Sequence, residues 1–355
     1  MASLDQQLKL LFAEQTTNWA QAQKSYSDLA GVQPKSFSFG NFDVKVQFNP
    51  ARIVSSGAKV DAKTIAERKC FLCAANRPCE QKSIDFGDYE ILVNPFPIFP
   101  EHFTIPRREH VDQQIKPYFA DMLQLAKAMV NYLVFYNGPK CGASAPDHMH
   151  FQAGTKDFLP LVNDYHRLKD THANLLVSTE TMQLFSFENY LRTVYCIESN
   201  DIESAKDSFE KFYRHFTSPP TSLLKEKGVA EATPFFSLKN IFKQEVISPL
   251  APSSQKIPFL SPLGESPQRG IEVRGVGGEV EPMMNIVCTF ENGKWFTFVL
   301  PRKAFRPWQY TAEGAQQLLV SPATVEMCGI FITPIKEHFD KITKEDVVSI
   351  LEQVS

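Results

Sequence analysis

The sequence predicts an α+β fold built from two copies of one structural unit. Segments with the two-residue alternation of strands are interleaved with segments of helical periodicity. The pentapeptides Phe103-Thr-Ile-Pro-Arg107 and Phe298-Val-Leu-Pro-Arg302 share one pattern, each at a strand end that is followed by a helical stretch and another strand. With 355 residues, 43% of them hydrophobic, the chain can bury one large core or two fused smaller ones.

The first half of the chain carries most of the predicted regular structure. Apolar side chains at helical spacing predict one amphipathic helix over residues 4–29. A second helical pattern covers residues 117–136 and passes into a strand at its end. The predicted strands of this half are residues 42–48, 89–93, 102–106, 133–136 and 148–153.

The remainder of the chain begins with a change in composition. Residues 218–274 are rich in Pro, Ser and Lys, which predicts a long connection or insertion. After it, Thr343 is a predicted N-cap. The patterns that follow the connection predict strands at residues 284–290, 294–300 and 329–333 and a helix at residues 344–353. The predicted division is an N-terminal unit (1–217), a connection (218–274) and a C-terminal unit (275–355).

Composition and charge narrow the classes of protein to which the chain can belong. A formal net charge of -3 provides no basic field for nucleic acid. The N-terminus lacks a signal-peptide pattern, and no apolar stretch has the length of a membrane span. Seven cysteines, clustered only at Cys70, Cys73 and Cys79, indicate a reducing compartment. These features predict a soluble cytoplasmic protein with no nucleic-acid or membrane partner, and they leave a homo-oligomer open.

The side chains most suited to catalysis lie in residues 137–152, whose sequence is Asn-Gly-Pro-Lys-Cys-Gly-Ala-Ser-Ala-Pro-Asp-His-Met-His-Phe-Gln. If the last five residues form a strand, alternation places His148, His150 and Gln152 on one side. The apolar residues between them then face the core. Three hydrogen-bonding side chains in a row, backed by apolar anchors, indicate a site and not a solvated surface.

The preceding loop is suited to a phosphate. Gly142, Ala143 and Ser144 have little side-chain bulk, so their backbone N–H groups and the Ser144 hydroxyl can approach an anion closely. Lys140 supplies a cation, and Asn137 opens the loop. These five residues are the predicted phosphate-binding set.

The residue types in this segment favour nucleophilic transfer. A neutral imidazole is a good nucleophile toward phosphorus when its other ring nitrogen is held as a donor. His150 lies between His148 and Gln152 and is best placed for the attack. An amide cannot protonate a poor leaving group, so Gln152 predicts leaving groups that are already weakly basic, such as phosphate or a sugar phosphate. This favours transfer or phosphorolysis over hydrolysis of amidates.

The segment resembles the active-site signature His-x-His-x-Gln of the transferase branch of the histidine-triad superfamily. That branch includes galactose-1-phosphate uridylyltransferases, diadenosine tetraphosphate phosphorylases and GDP-hexose phosphorylases. Gly-Ala-Ser before the histidines and Asp147 directly before His148 look most like the phosphorylases. Residues 285–293, 298–302 and 321–334 resemble the second half of the same proteins.

The resemblance implies two histidine-triad-like units with antiparallel sheets and flanking helices. It implies that His150 becomes covalently nucleotidylated and that Gln152 and Ser144 contact the transferred phosphate. The implied donor is a nucleoside diphosphate-sugar or a dinucleoside polyphosphate. The implied acceptor is inorganic phosphate or a sugar phosphate, in a ping-pong reaction that requires no cofactor. Glu326 is implied to accept hydrogen bonds from a sugar hydroxyl, and Arg302 is a candidate phosphate ligand because it recurs in the internal echo.

A structural zinc site is predicted separately. The spacing of Cys70-Phe-Leu-Cys73 lets both thiolates reach one Zn²⁺. Uridylyltransferases that resemble this chain imply His110 and His148 as the two further ligands. Zinc on His148 would also orient the strand that carries His150. The phosphorylases mostly lack this metal, so a pair of unligated thiols is the alternative.

Three other functions are compatible with the same residues. The first is a nucleotide hydrolase of the same superfamily, against which Gln152 argues. The second is a non-catalytic protein that binds nucleotides or sugar phosphates. The third is an interaction module organised by zinc, which would bind no nucleotide and would unfold on chelation.

Overall fold

The computed structural model describes residues 2–53, 57, 60–217 and 281–355. The predicted connection at residues 218–274 therefore lies outside the described residues, together with residues 275–280. The helices of the described part are α1 (Leu4–Asn18), α2 (Ala20–Ala30), α3 (Ala62–Glu67), α4 (Phe119–Ala128), α5 (Pro160–His172), α6 (Ile202–Thr217), α7 (Trp308–Thr311), α8 (Thr324–Met327), α9 (Lys336–Lys341) and α10 (Lys344–Val354).

The strands of the described part form two sheets. They are β1 (Gln33–Ser38), β2 (Asp43–Phe48), β3 (Ser83–Phe86), β4 (Tyr89–Val93), β5 (His102–Pro106), β6 (Tyr132–Asn137), β7 (His150–Thr155), β8 (Ala173–Ser178), β9 (Met182–Phe187), β10 (Val194–Ser199), β11 (Met284–Glu291), β12 (Lys294–Pro301) and β13 (Ile330–Thr333). The large sheet has the order β3-β4-β5-β7-β6-β11-β12-β10-β9-β8, and β1-β2-β13 form the small one.

The large sheet consists of two halves with the same connection order. Counted from its outer edge, the first half runs β3-β4-β5-β7-β6 and the second runs β8-β9-β10-β12-β11. In each half a helix, α4 or α6, connects the third strand to the fourth strand along the chain. The halves meet where β6 pairs antiparallel with β11, with Asn137 opposite Asn285. The predicted α+β fold is confirmed, with an antiparallel large sheet and a small sheet in which β13 pairs parallel with β2. Its origin by duplication stays a prediction.

The internal echo does not mark equivalent strands in this arrangement. Phe103-Thr-Ile-Pro106 lies in β5, which is the third strand of its half along the chain. Phe298-Val-Leu-Pro301 lies in β12, which is the fifth strand of the other half along the chain. Strands β8 to β10 and helix α6 fall within residues 1–217 of the chain but pair with β11 and β12 in the second half of the sheet. The predicted division of the chain into units 1–217, 218–274 and 275–355 stays a prediction.

The single N-terminal helix predicted over residues 4–29 is wrong. Two helices, α1 and α2, are separated at Trp19, whose backbone is extended (φ -108°, ψ 105°). The indole is only 4% exposed. Burial of this large apolar side chain offsets the cost of interrupting the helix.

Other boundaries differ from the prediction by a few residues. The helical pattern over residues 117–136 divides into α4 and β6, and the chain turns between them. Strand β7 begins at His150 and not at His148, so only two of the three aligned side chains belong to the strand. At the C-terminus, Thr343 caps α10 in a reciprocal capping box with Asp346, as predicted.

Both faces of the large sheet are covered. Helices α4 and α6 pack on one face, where the Met149 and Phe151 side chains are fully buried as predicted. Helices α5 and α10 and the small sheet enclose the other face, which includes Phe135. Because β6 is buried on both sides, its sequence is apolar and aromatic from Tyr132 to Tyr136, and only its last residue, Asn137, is fully polar. In the part of the chain that is described, no helix is long and apolar enough to cross a membrane.

Candidate functional site

A cavity of about 490 Å³ opens over β7. Six of the residues predicted for the site contribute to its wall, which are Asn137, Gly142, Ser144, His150, Gln152 and Glu326. The Trp19 break between α1 and α2, the Cys70–Cys73 turn, the segment 94–98 and the segment before α8 also contribute to the wall. The cavity therefore lies between the two sheets and the N-terminal helices.

His150 begins β7 and is held from two sides. Its backbone N–H donates to Gln113 Oε1 at 2.8 Å, and its Nδ1 lies 2.8 Å from the carbonyl oxygen of His148. A carbonyl only accepts, so Nδ1 carries the proton and Nε2 presents a lone pair. Burial lowers the pKa of His150 to about 4, which keeps the ring neutral near pH 7. The imidazole thus has the tautomer and charge that a nucleophile requires.

Gln152 is oriented by His102 from the neighbouring strand β5. The Ile98 N–H donates to His102 Nδ1 at 3.2 Å, which places the proton of this imidazole on Nε2. That Nε2–H donates to Gln152 Oε1 at 3.0 Å. Burial lowers the pKa of His102 to about 3, so the ring cannot become a cation that would change this arrangement. The Gln152 amide must then present its NH₂ group, a double donor, to the cavity.

The loop before the histidines is shaped by Gly142. Its φ is +97°, and a Cβ atom there would lie 2.3 Å from the Ala323 Cβ. Only glycine permits this close approach between the loop and the segment before α8. Ser144 reaches the cavity wall, and Ala143 is buried within the loop.

Asn137 joins the two halves of the sheet behind this loop. Its Oδ1 accepts hydrogen bonds from Asn285 Nδ2 at 3.0 Å and from the Thr324 backbone N–H and hydroxyl at 2.9 and 2.7 Å. Asn285 Nδ2 also donates to the Cys141 carbonyl at 2.8 Å. Asn137 thus holds the loop in place and also contributes to the cavity wall.

Two of the predicted phosphate ligands lie away from the cavity wall. The Lys140 side chain is exposed to solvent. Arg302 is only 7% exposed, and its guanidinium donates entirely to the protein. Its acceptors are the carbonyl oxygens of Val354, Pro322, Ala304 and Phe305 and the Oδ1 atom of Asn285. Arg302 anchors the segment before α8 to the C-terminus, and the prediction that it binds phosphate is wrong because no N–H remains for a ligand.

Glu326 contributes a buried carboxylate to the cavity. It is 6% exposed, and its Oε2 accepts the Ala323 backbone N–H at 2.9 Å. Burial raises the pKa of Glu326 to about 7. Backbone hydrogen bonds from Glu326 and Ile332 partly oppose this rise, and the contact with a sugar hydroxyl that the resemblance implied stays a prediction.

His148 points away from His150 and into a cluster with both cysteines. Its Nδ1 lies 3.2 Å from Cys70 Sγ and 3.6 Å from Cys73 Sγ, and His110 Nδ1 lies 3.2 Å from Cys73 Sγ. One ligand atom from each of the four residues lies within 4.8 Å of all the others. The placement of His148 beside His150 and Gln152 on one face is wrong, because His148 precedes the strand.

The donor set of this cluster fits a zinc ion. His148 Nε2 donates to the Arg107 carbonyl at 2.7 Å, which leaves the Nδ1 lone pair directed at the thiols. Burial raises the pKa of the Cys70 thiol, but its contact with the His148 ring and the backbone hydrogen bonds from Leu72 and Cys73 outweigh burial and bring the pKa to about 6. Two sulfurs and two imidazole nitrogens are a common tetrahedral ligand set for Zn²⁺.

Several residues of the cavity were not predicted. Phe71 and Leu72 lie between the two cysteines, so the turn that brings the thiols together also forms part of the wall. Arg52 and Arg68 lie in the cavity wall, whereas the arginine predicted to bind phosphate was Arg302. No local pattern identifies either arginine, because both reach the site only through contacts with distant segments.

Aromatic side chains near β7 differ in whether they line the cavity. Phe96 lies in the cavity wall. Phe99 packs against Gly154, where a Cβ would lie 2.3 Å from its ring, so it belongs to the scaffold. Trp19, which sequence analysis placed inside a continuous helix, is a further aromatic side chain in the wall.

Known proteins resemble the chain in sequence and in fold. Residues 11–155 match the family described as "Domain of unknown function (DUF4922)". A stretch of 80 residues is 34% identical to diadenosine 5',5'''-P1,P4-tetraphosphate phosphorylase 2 of Saccharomyces cerevisiae. That match spans 19% of this chain and 24% of the relative, about a quarter of its length.

Crystal structures of a yeast Ap4A phosphorylase resemble nearly the whole chain. One covers 99% of this chain and 94% of its own, with 16% identity and a TM-score of 0.54. The structure of the same enzyme in complex with Ap4A covers 99% and 97%, with 16% identity and a TM-score of 0.51. The chain therefore has the fold of this yeast Ap4A phosphorylase, and the predicted likeness to such proteins is confirmed at the level of the fold.

Proposed function

We propose that the protein is a nucleotidyltransferase of the phosphorylase type that works through a nucleotidyl-His150 intermediate. The observation that carries this proposal is the contact between His150 Nδ1 and the His148 carbonyl, which leaves a neutral Nε2 lone pair in the cavity. The Gln152 NH₂ group and the loop at Gly142 and Ser144 supply donors for the oxygens of the phosphorus under attack.

The two half-reactions balance without an external acid or base. The His150 Nε2 lone pair attacks the α-phosphorus, and the bond to the leaving phosphoryl oxygen breaks with its electron pair. The ring becomes an N-phosphorylated imidazolium, whose remaining N–H bond to the His148 carbonyl spreads the new positive charge. An acceptor oxygen then attacks the same phosphorus, and the N–P electrons return to Nε2. Gln152 need not supply a proton at either step.

The substrate class that we propose is a dinucleoside polyphosphate or a nucleoside diphosphate-sugar. The named relative is a diadenosine tetraphosphate phosphorylase, and the similar fold was solved with Ap4A. The cavity offers apolar and aromatic wall at Trp19, Phe71 and Phe96, which suits the face of a base. Glu326 supplies an acceptor for a sugar hydroxyl.

Intact-protein mass spectrometry tests the proposal. The protein is mixed, without phosphate, with a panel of dinucleoside polyphosphates and nucleoside diphosphate-sugars. We expect a mass gain of one nucleotidyl group with at least one donor, and discharge of that adduct on addition of orthophosphate or a sugar phosphate. Absence of an adduct with every donor would argue for a binding protein, and rapid discharge by water alone would argue for the hydrolase.

We also propose that Cys70, Cys73, His110 and His148 hold a structural Zn²⁺. The ion would close the turn that carries Phe71 and Leu72 and would fix the residue whose carbonyl binds His150 Nδ1. Zinc binding of this kind contributes directly to folding. The chemistry at phosphorus stays with His150.

Removal of the metal is expected to destabilise the protein. The Cys70→Ser variant should retain less than one equivalent of zinc by elemental analysis and should unfold about 5–10 °C below the wild type, since a few kcal/mol lowers the midpoint by that amount in a chain of this size. Cys79→Ser is the matched control, because Cys79 is exposed and outside the cluster. A wild-type protein that binds no zinc under reducing conditions would exclude this proposal without affecting the first.

A further inference from the structure

Arg52 contributes a guanidinium to the cavity and is only partly satisfied by the protein. Its Nη1 donates to the Phe96 carbonyl at 2.7 Å, which fixes the direction of the side chain. Its Nε is buried and has no hydrogen-bond partner among the described residues. An unpaired buried donor on a charged group is costly and uncommon in native structures. A ligand in the cavity would remove this cost.

Arg52 lines the same cavity as the residues of the transfer site. Its charge is one of the causes, after burial, of the lowered pKa of His102, whose Nε2 holds the amide of Gln152. Gln152 is two residues from His150 on the same strand, so both side chains face the same cavity. Arg52, His150 and Gln152 therefore share one cavity, and the charge of Arg52 acts on the residue that orients Gln152.

Arg68, the other arginine of the cavity wall, also has a buried nitrogen without a hydrogen-bond partner, its Nη1, but it differs from Arg52 in the groups that it already binds. Arg68 forms an ion pair with Asp147, and its Nη2 also lies 3.5 Å from the Ser144 carbonyl. It is thus engaged in holding the loop before the histidines. Arg52 faces a single carboxylate, Glu326, to which it makes no direct ion pair in the described structure, although their charges influence each other.

We propose that Arg52 binds the phosphoryl group that leaves in the first half-reaction and that attacks in the second. The ligand class is a phosphate dianion, supplied as orthophosphate, as a sugar phosphate or as the terminal phosphate of a nucleotide. A planar guanidinium with an unpaired Nε–H can donate to two oxygens of such a group. Glu326, which lines the same cavity, can accept a hydrogen bond from the protonated oxygen of orthophosphate or from a hydroxyl of a sugar phosphate. This inference rests on the proposed function and assigns its acceptor subsite.

The experiment uses the preformed nucleotidyl adduct of the full chain. Wild type and Arg52→Gln are loaded with the donor that labels the wild type, freed of small molecules, and discharged with increasing orthophosphate, glucose 1-phosphate or ADP. Mass spectrometry follows the loss of the adduct, which separates the half-saturating acceptor concentration from the limiting rate. Arg192→Gln is the matched control, since Arg192 also has a buried unpaired Nη2 but donates to the Met327 and Tyr190 carbonyls away from the cavity.

We expect Arg52→Gln to raise the half-saturating acceptor concentration about ten- to a hundredfold, the effect of losing a hydrogen bond to a charged group. The rise should appear for every acceptor that discharges the wild-type adduct, and Arg192→Gln should discharge as the wild type does. A half-saturating concentration within twofold of the wild type would overturn the inference. So would a rise confined to acceptors that carry a sugar, because the lost contact would then not be with phosphate.

A second variant covers the case in which Arg52→Gln does not fold. Arg52→Lys keeps the positive charge and removes the Nε donor, and we expect a rise of several fold in the same half-saturating concentration. An unchanged value in folded Arg52→Lys would overturn the inference. Failure of the proposed function is distinguishable, because it shows earlier, as a wild-type protein that forms no adduct with any donor.

Discussion

Replacing His150 with alanine is expected to abolish formation of the nucleotidyl adduct and to lower the transfer rate by at least about 10⁴-fold. Loss of a catalytic nucleophile has effects of this size in other enzymes, where only binding and oxyanion stabilisation remain. The side chain is 3% exposed and its Nδ1 bonds only the His148 carbonyl. Removal of the ring should therefore cost stability far less than activity.

The measurement combines adduct formation with thermal unfolding. His166→Ala is the control, because His166 lies on helix α5 outside the cavity and its side chain is 37% exposed. We expect the control to form the adduct at the wild-type rate. If a folded His150→Ala protein still acquired one nucleotidyl group, the attacking residue would be a different one and the proposed mechanism would be wrong.

Substitution of Gly142 by alanine is expected to have the next largest effect. The new methyl group would lie 2.3 Å from the Ala323 Cβ and 2.9 Å from its Cα, so the loop or the segment before α8 must move. The φ of +97° adds strain that an L-residue adopts only at a cost. We expect a loss of about 2–4 kcal/mol in the free energy of unfolding and at least a tenfold loss in the rate of adduct formation.

Gly293→Ala separates the two causes of this effect. Gly293 also has a positive φ, +81°, but a Cβ there would have no atom within 4 Å. It should lose about 1 kcal/mol of stability by urea unfolding and no transfer activity. Equal effects of the two substitutions would show that the close contact with Ala323 does not shape the phosphate-binding loop.

Structural features that depend only on residues close together in the chain could be predicted from the sequence. The alternation in His150-Phe-Gln152 places both polar side chains toward one cavity and the apolar residue in the core, and β7 has this arrangement. The capping box at Thr343 and the pair Cys70 and Cys73 are likewise readable from short spacings. Such patterns succeed because backbone period and side-chain reach are local properties.

The roles of residues whose partners are distant along the chain are visible only in the tertiary structure. The guanidinium of Arg302 was predicted to bind phosphate, but it donates to five acceptors of the protein that range from residue 285 to residue 354. His148 precedes strand β7, and its ring contacts two cysteines that lie more than 70 residues away in the chain. Arg52 and Trp19 line the cavity, although no sequence pattern in their own segments predicts this. A buried polar group takes the nearest partner in space, and one sequence does not reveal which segments the fold will bring together.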